Sequence, residues 1–344
     1  MRYVAAIWGA GLWALAAAAQ PAGTFDWAAA DYLYPGVKQA EVRIETPRPV
    51  DAFAVQVALD TPGLDLVGSP RADTYTLDSE EVRRTTTRDF MRGARLAGQP
   101  VVVALNANPW SPWPRPPSEA SLADPSGLLI TGGQLVSAPA GNRPAFTLRS
   151  DGTAALVDTP AAFDTTGIET AVAGFSFCLQ GGTPLPSGPQ LAPRSGLGLT
   201  ADGRTLILLA VDGRRHASQG ATVEDVGAWL RYFGASDGIN LDGGGSTTLA
   251  YWDRNAAGPD RAALWNQPVG NGIDWLDLPP EIEENSFFAS ERTVANSLGV
   301  ATPFLEVTAN PANRALPIGA TFTLRVEVAG AVGVPRYTWR KDGQ

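Results

Sequence analysis

The chain has 344 residues, 44% of them hydrophobic, with 35 acidic against 26 basic side chains and a formal charge of −9. That length allows a large core in one to three domains, and the acidic balance disfavours nucleic acid and anionic membranes as partners. One Cys and one His exclude an internal disulfide and a zinc site built from clustered His and Cys.

Arg2 opens a short positive region, residues 4–19 are almost wholly apolar, and Ala17-Ala18-Ala19 offers a small-residue cleavage site. The run is short for a membrane span, which needs roughly 20 residues. Residues 1–19 therefore read as a secretory signal peptide rather than a retained anchor. The mature chain would carry no membrane span and would be secreted, in a periplasmic, extracellular or cell-surface setting. Losing Arg2 takes the charge close to −10.

The 37 Gly and 28 Pro suit short strands joined by many turns. Strand-like runs recur at 50–58, 101–105, 128–136 and 145–157. Gly132-Gly133 and Asp151-Gly152 are predicted hairpin turns, pairing 128–130 with 134–136 and 146–148 with 154–157. A first helix is predicted over 79–97, with Val82, Phe90 and Leu96 towards the core and Gly98 closing it. A second spans 222–233, where Thr222 is the N-cap and Asp225 makes an acidic capping box. Its stripe is Val223, Val226, Leu230 and Phe233, and Gly234 stops it. Cys178 reads as a buried thiol.

After Val300 the composition shifts. Alternation at Phe322, Leu324, Val326 and Val328, followed by Trp339, is similar to the start of an immunoglobulin-like sandwich, which needs about seven strands. The expected organisation is a signal peptide at 1–19, a catalytic domain at 20–302 and an incomplete immunoglobulin-like domain at 303–344.

The chemistry concentrates between 205 and 246. An apolar strand at 205–211 ends at Asp212-Gly213; the second helix follows; a short strand at 238–241 ends at Asp242-Gly243-Gly244-Gly245-Ser246. Strand, helix and strand predict a right-handed parallel crossover, which delivers Asp212 and Asp242 to one rim of a sheet. Each is followed by Gly, which lets a ligand approach the backbone. Two carboxylates on one rim are the minimum equipment for acid/base work on a glycosidic bond. Roughly 5–5.5 Å between them would favour retention and roughly 6.5–9.5 Å inversion. Asp-Gly is also a common turn pair without chemistry. No Lys follows the Gly run, so it is not a P-loop. An EF-hand register would put Gly238 and Leu249 at ligand positions, and a Gly-x-Ser-x-Gly elbow is missing. His216 lies in a polar loop, which argues against a Ser-His-Asp triad. Asp242 and Asp212 could share a divalent cation, but no ligand spacing demands a metal or any other cofactor.

The segments Pro193-Arg-Ser-Gly-Leu-Gly-Leu, Leu208-Leu-Ala-Val-Asp-Gly-Arg, Gly220-Ala-Thr, Ile239-Asn-Leu-Asp-Gly-Gly-Gly-Ser-Thr-Thr and Glu291-Arg-Thr-Val-Ala-Asn-Ser-Leu-Gly-Val occur in an order that resembles the phosphodiester glycosidase family over about 101–300. The resemblance implies an α+β fold with a mixed β-sheet core and packed helices. It also implies cleavage between an anomeric carbon and a phosphodiester oxygen. On that reading Arg194 and Arg292 hold phosphate beside the catalytic Asp242 and Asp212. Asn240, Ser246, Asn296 and the amides of Gly243, Gly244 and Gly245 orient the substrate, with Gly213 at the second turn. Asn106 and Asn108 fall in a segment where the family commonly has Asn-Gly-Gly-Phe-Phe. Here it reads Asn106-Ala-Asn-Pro-Trp110, followed by a Pro-rich loop bearing Trp113. Both indoles suit stacking on a sugar face. The expected partner is a carbohydrate, a phosphate-linked glycan or oligosaccharide. Two alternatives remain: a glycosidase or lyase on a polysaccharide without phosphate, and a non-catalytic glycan-binding or exopolysaccharide-assembly module.

Overall fold

The computed structural model describes residues 20–303, together with the backbone of Glu306–Ala309 and Glu327–Ala329. The expected signal peptide lies outside the described residues. So does most of the expected immunoglobulin-like start, of which only the antiparallel pairing of those two short strands is described.

Strands dominate, and three sheets build the body. The first runs, in spatial order, Tyr32–Tyr34, Val37–Ile44, Val50–Ala58, Thr205–Val211, Arg194–Leu199, Asp237–Asn240, Ser176–Gln180 and Thr183–Pro184. The second runs Ala262–Leu264, Leu249–Trp252, Val101–Asn106, Ser297–Ala301 and Asp65–Gly68. The third comprises 134–137, 129–131, 168–173, 143–149 and 154–159. Both predicted hairpins form, with Gln134 opposite Thr131 and Leu148 opposite Ala154.

The wholly apolar run Thr205–Val211 is explained by burial on both faces. Leu206, Leu208 and Ala210 face one core with Val55, Val103, Leu105 and Leu298. Ile207, Leu209 and Val211 face a second core, closed by the helix Val223–Tyr232. Thr222 and Asp225 form the predicted capping box. Val226, Trp229, Leu230 and Phe233 are fully buried there, each contributing on the order of 2 kcal/mol. Cys178 is buried in the same cluster.

Two expectations need correction. The sheets are antiparallel between all their named neighbours, not mixed. The strands 205–211 and 237–240 do run the same way, but Arg194–Leu199 lies between them and pairs with both. The first helix begins later than predicted, as Thr87–Leu96 with Thr86 as its cap. Before it the chain is extended: Arg84 N–H donates to Ser121 O and Thr85 pairs with Val294. A turn at 77–79 and pairing over 80–85 therefore take this segment away from the helix, and Leu96 is 90% exposed rather than in the core.

Candidate active site

Because the strands 205–211 and 237–240 share a direction, both end at one rim, and Arg194 starts the opposed strand between them at the same rim. The turn after Asn240 is stitched onto the second sheet. Asp242 N–H donates to Ala107 O (2.9 Å), and Asn106 Nδ2 donates to Asp242 O (2.7 Å). Asn106 Oδ1 accepts from Ser195 Oγ (2.6 Å) and Thr248 N–H (3.0 Å). Asn108 Oδ1 accepts from Ala173 N–H and Asn296 Nδ2, while Asn108 N–H donates to Asn296 Oδ1. All three Asn side chains are buried. They hold the floor and do not line the cavity above it.

Above that floor is a cavity of about 570 Å³. Of the residues expected at the site, Asp242, the Gly243–Gly245 backbone, Ser246, Arg292, Trp110 and Trp113 line it. Gly244 adopts φ 61° in a tight 3₁₀ turn, a conformation that favours glycine. Gly245 is needed for space: a Cβ there would lie 2.7 Å from Arg292 Nη2. At Gly244 a Cβ would lie 3.3 Å from Arg214 Nη2. Two guanidinium groups therefore rest on neighbouring glycines. Arg292 also sits over Trp113, 4.7 Å from its ring centre, and Trp113 meets Trp110 edge-on.

Asp242 keeps some solvent contact, yet its surroundings are mostly protein. Burial pushes its carboxyl up to about 6, against the opposing pull of Ser246, the Gly243 N–H, Arg292 and Trp110. Burial also lowers the Arg292 pKa, Asp242 opposes that shift, and Arg214 adds to it. Arg292 Nε is buried without a hydrogen-bond partner. Among the described residues, Arg214 pairs with one carboxylate, Asp274 at 4.0 Å. Asp242 is the single carboxylate among the described residues lining the cavity; Arg143, Arg214 and Arg292 are its cations. An acidic protein has gathered an excess of positive charge at one place.

Other predicted residues lie nearby but not on the cavity wall. Asp212 is buried and turns towards the 266–267 loop, accepting from Asn266 Nδ2 (3.0 Å) and Gln267 N–H (3.0 Å). Burial raises its pKa to about 6, and these hydrogen bonds and Arg215 oppose the rise. Gly213 packs on backbone, where a Cβ would lie 2.6 Å from Pro193 N. Arg194 gives Nε to Ala221 O and Nη2 to Gln190 O, both backbone carbonyls. Asn240 shares a strand face with Gly238, which packs against Leu230 of the helix. Sequence reasoning missed Arg143, Phe175, Arg214 and Ser126, all on the cavity wall. Among the described residues no three His, Cys, Asp or Glu side chains cluster as metal ligands.

The sequence profile of the phosphodiester glycosidases matches residues 100–301. The chain belongs to the phosphodiester glycosidase family. The matched region carries every residue of the cavity wall named above. Among solved structures, the catalytic domain of zebrafish N-acetylglucosamine-1-phosphodiester alpha-N-acetylglucosaminidase, auto-inhibited by its pro-peptide, is similar at 18% identity and a TM-score of 0.55. That match covers 79% of this chain and 86% of the zebrafish domain. A hypothetical protein from Synechocystis matches at 14% identity and a TM-score of 0.49, over 78% of this chain and 62% of its own. The zebrafish likeness is one of fold. No curated protein sequence matches. No helix among the described residues is long and apolar enough to cross a membrane.

Proposed function

We propose that this phosphodiester glycosidase hydrolyses the bond between a sugar's anomeric carbon and a phosphodiester oxygen. The observation that carries this reading is the convergence of one carboxylate, Asp242, and two guanidinium groups, Arg214 and Arg292, on one cavity wall, where Arg214 meets Asp274 at 4.0 Å and Arg292 Nε is buried without a hydrogen-bond partner. A phosphodiester anion fits between such groups through charge-assisted hydrogen bonds. A neutral glycoside would leave them unneutralised.

The chemistry suits this equipment. In an ordinary glycosidase one carboxylic acid protonates the leaving oxygen and a second group activates water. A departing phosphate monoester is already an anion with a second pKa near 6, so it leaves with the electron pair of the C–O bond and needs no acid. Arg214 and Arg292 stabilise the charge that develops on it. Asp242 then has one task. It takes a proton from water as the water oxygen bonds the anomeric carbon. Retention would need a base for a second step after a covalent intermediate; among the described residues the cavity wall carries Asp242 as its one carboxylate, which favours inversion. Asp212 acts behind the site by holding the 266–267 loop, and the indole of Trp113 offers a stacking face for the sugar. Reading residues 1–19 as an export signal agrees with a glycan substrate outside the cell.

The test is turnover of a panel of glycosyl methyl phosphates beside the matching methyl glycosides, with NMR of the first-formed anomer. Hydrolysis of the phosphodiesters with inverted product is expected. Hydrolysis of the plain glycosides alone would exclude the phosphate reading, and a retained product would exclude Asp242 as the base for water.

A further inference from the structure

The third arginine of the cavity is not needed for the diester. Arg143 enters from the strand Arg143–Arg149, on a different sheet from the catalytic turn. Its stem crosses Gly127, where a Cβ would lie 3.1 Å from Arg143 Cδ. Gly127 is itself tied to the floor, because its carbonyl accepts from Asn108 Nδ2 (3.3 Å). The guanidinium lies over the Phe175 ring, 5.2 Å from its centre. Phe175 is fixed in turn, donating its N–H to Asn240 O beside the catalytic turn (2.8 Å), yet the residue is 48% exposed.

Arg143 is thus held in place without being neutralised. Among the described residues no carboxylate pairs with it and no carbonyl accepts from its guanidinium. It stands with Arg214 and Arg292 as a third cation on the same cavity wall. One diester anion leaves it unmatched. A lone surface arginine would be free to bend into solvent; this one is carried on an aromatic ring at the cavity wall, an arrangement that presents its N–H groups to a ligand.

We infer that Arg143 on Phe175 is a specificity-determining anion subsite, and that the preferred substrate is a glycosyl phosphodiester bearing a second negative charge. This rests on the phosphodiester reading above. The second charge can belong to the sugar, as a uronate, or to the alcohol on the far side of the phosphate.

The experiment compares three phosphodiesters of one sugar series: a neutral sugar with a neutral alcohol, the corresponding uronosyl ester, and the neutral sugar esterified to a hydroxy acid. Values of kcat/KM are measured for wild type, Arg143→Gln and Arg143→Lys. Wild type should favour one charged substrate over the neutral one by about tenfold, the size of one charge-assisted hydrogen bond. That ratio should collapse towards one in Arg143→Gln and survive in part in Arg143→Lys, which keeps the charge. The favoured arm identifies which end carries the charge. Equal kcat/KM for all three in wild type, or a preference unchanged in Arg143→Gln, overturns the subsite while leaving the phosphodiester reading intact. If none of the three is hydrolysed while plain glycosides are, the phosphodiester reading falls and the subsite falls with it.

Discussion

Replacing Asp242 with Asn keeps the shape of the side chain and removes its charge. The carboxyl pKa is raised from 3.8 to about 6 by burial, a difference equivalent to ~3 kcal/mol against the ionised folded state at neutral pH. Residual solvent contact and the loss of one accepted hydrogen bond reduce the expected gain to ~1–2 kcal/mol. The sign follows from proton binding. Between pH 3.8 and about 6 the folded wild type holds more protons than its unfolded chain, so this group's stabilising effect is full below the lower value and is lost as pH rises through the upper one. Asn does not titrate. The variant should therefore be more stable than wild type by ~1–2 kcal/mol at about pH 8, and not more stable below about pH 3.5, while its turnover falls roughly 10²–10⁴-fold. Urea unfolding at the two pH values, with initial rates on a glycosyl methyl phosphate, measures both. A variant less stable than wild type at about pH 8, or a stability gap of equal size at both values, would refute the reasoning.

Other expectations follow from single contacts. Gly245→Ala brings a Cβ to within 2.7 Å of Arg292 Nη2, so Arg292 must move; kcat/KM should fall roughly 10–100-fold while the urea midpoint barely changes. Asp212→Ala leaves Gln267 N–H without its acceptor, which should cost ~2 kcal/mol in urea unfolding while kcat per folded molecule stays within about twofold. With no three metal-ligating side chains clustered among the described residues, activity should survive dialysis against a chelator.

Much of this site could be read before the fold was known, and the failures share a cause. Asp242, its three glycines and Arg292 stand in recognisable order along the chain, and the cavity brings them together. Asp212 also reaches the expected rim, but a strand end fixes only where a residue arrives. Which way the carboxylate turns was decided by the amides of Asn266 and Gln267. The same holds for Arg194, whose guanidinium finds two backbone carbonyls. Arg143 and Phe175 carry no local motif: Arg143 opens a strand of the third sheet and Phe175 lies in the link between strands 168–173 and 176–180, so only tertiary packing makes them neighbours. Phe175 even sits in an apolar run whose Cys178 is buried, so its exposure contradicts its company. Hairpins at Gly132-Gly133 and Asp151-Gly152 were legible because turn chemistry is local. The start of the first helix was not, because Ser121 and Val294 compete for the backbone before it.

The buried amides of Asn106, Asn108 and Asn296 divide the site into two parts with different freedom to vary. Their hydrogen bonds are completed when the chain folds, so the platform under the cavity is set in advance and little conformational entropy is left to lose there on binding. Trp113 and Phe175, half open to solvent, lie outside that bonded frame. Exchanges at positions 143 and 175 therefore alter the open rim of the cavity while the hydrogen-bonded platform beneath it stays as it folded.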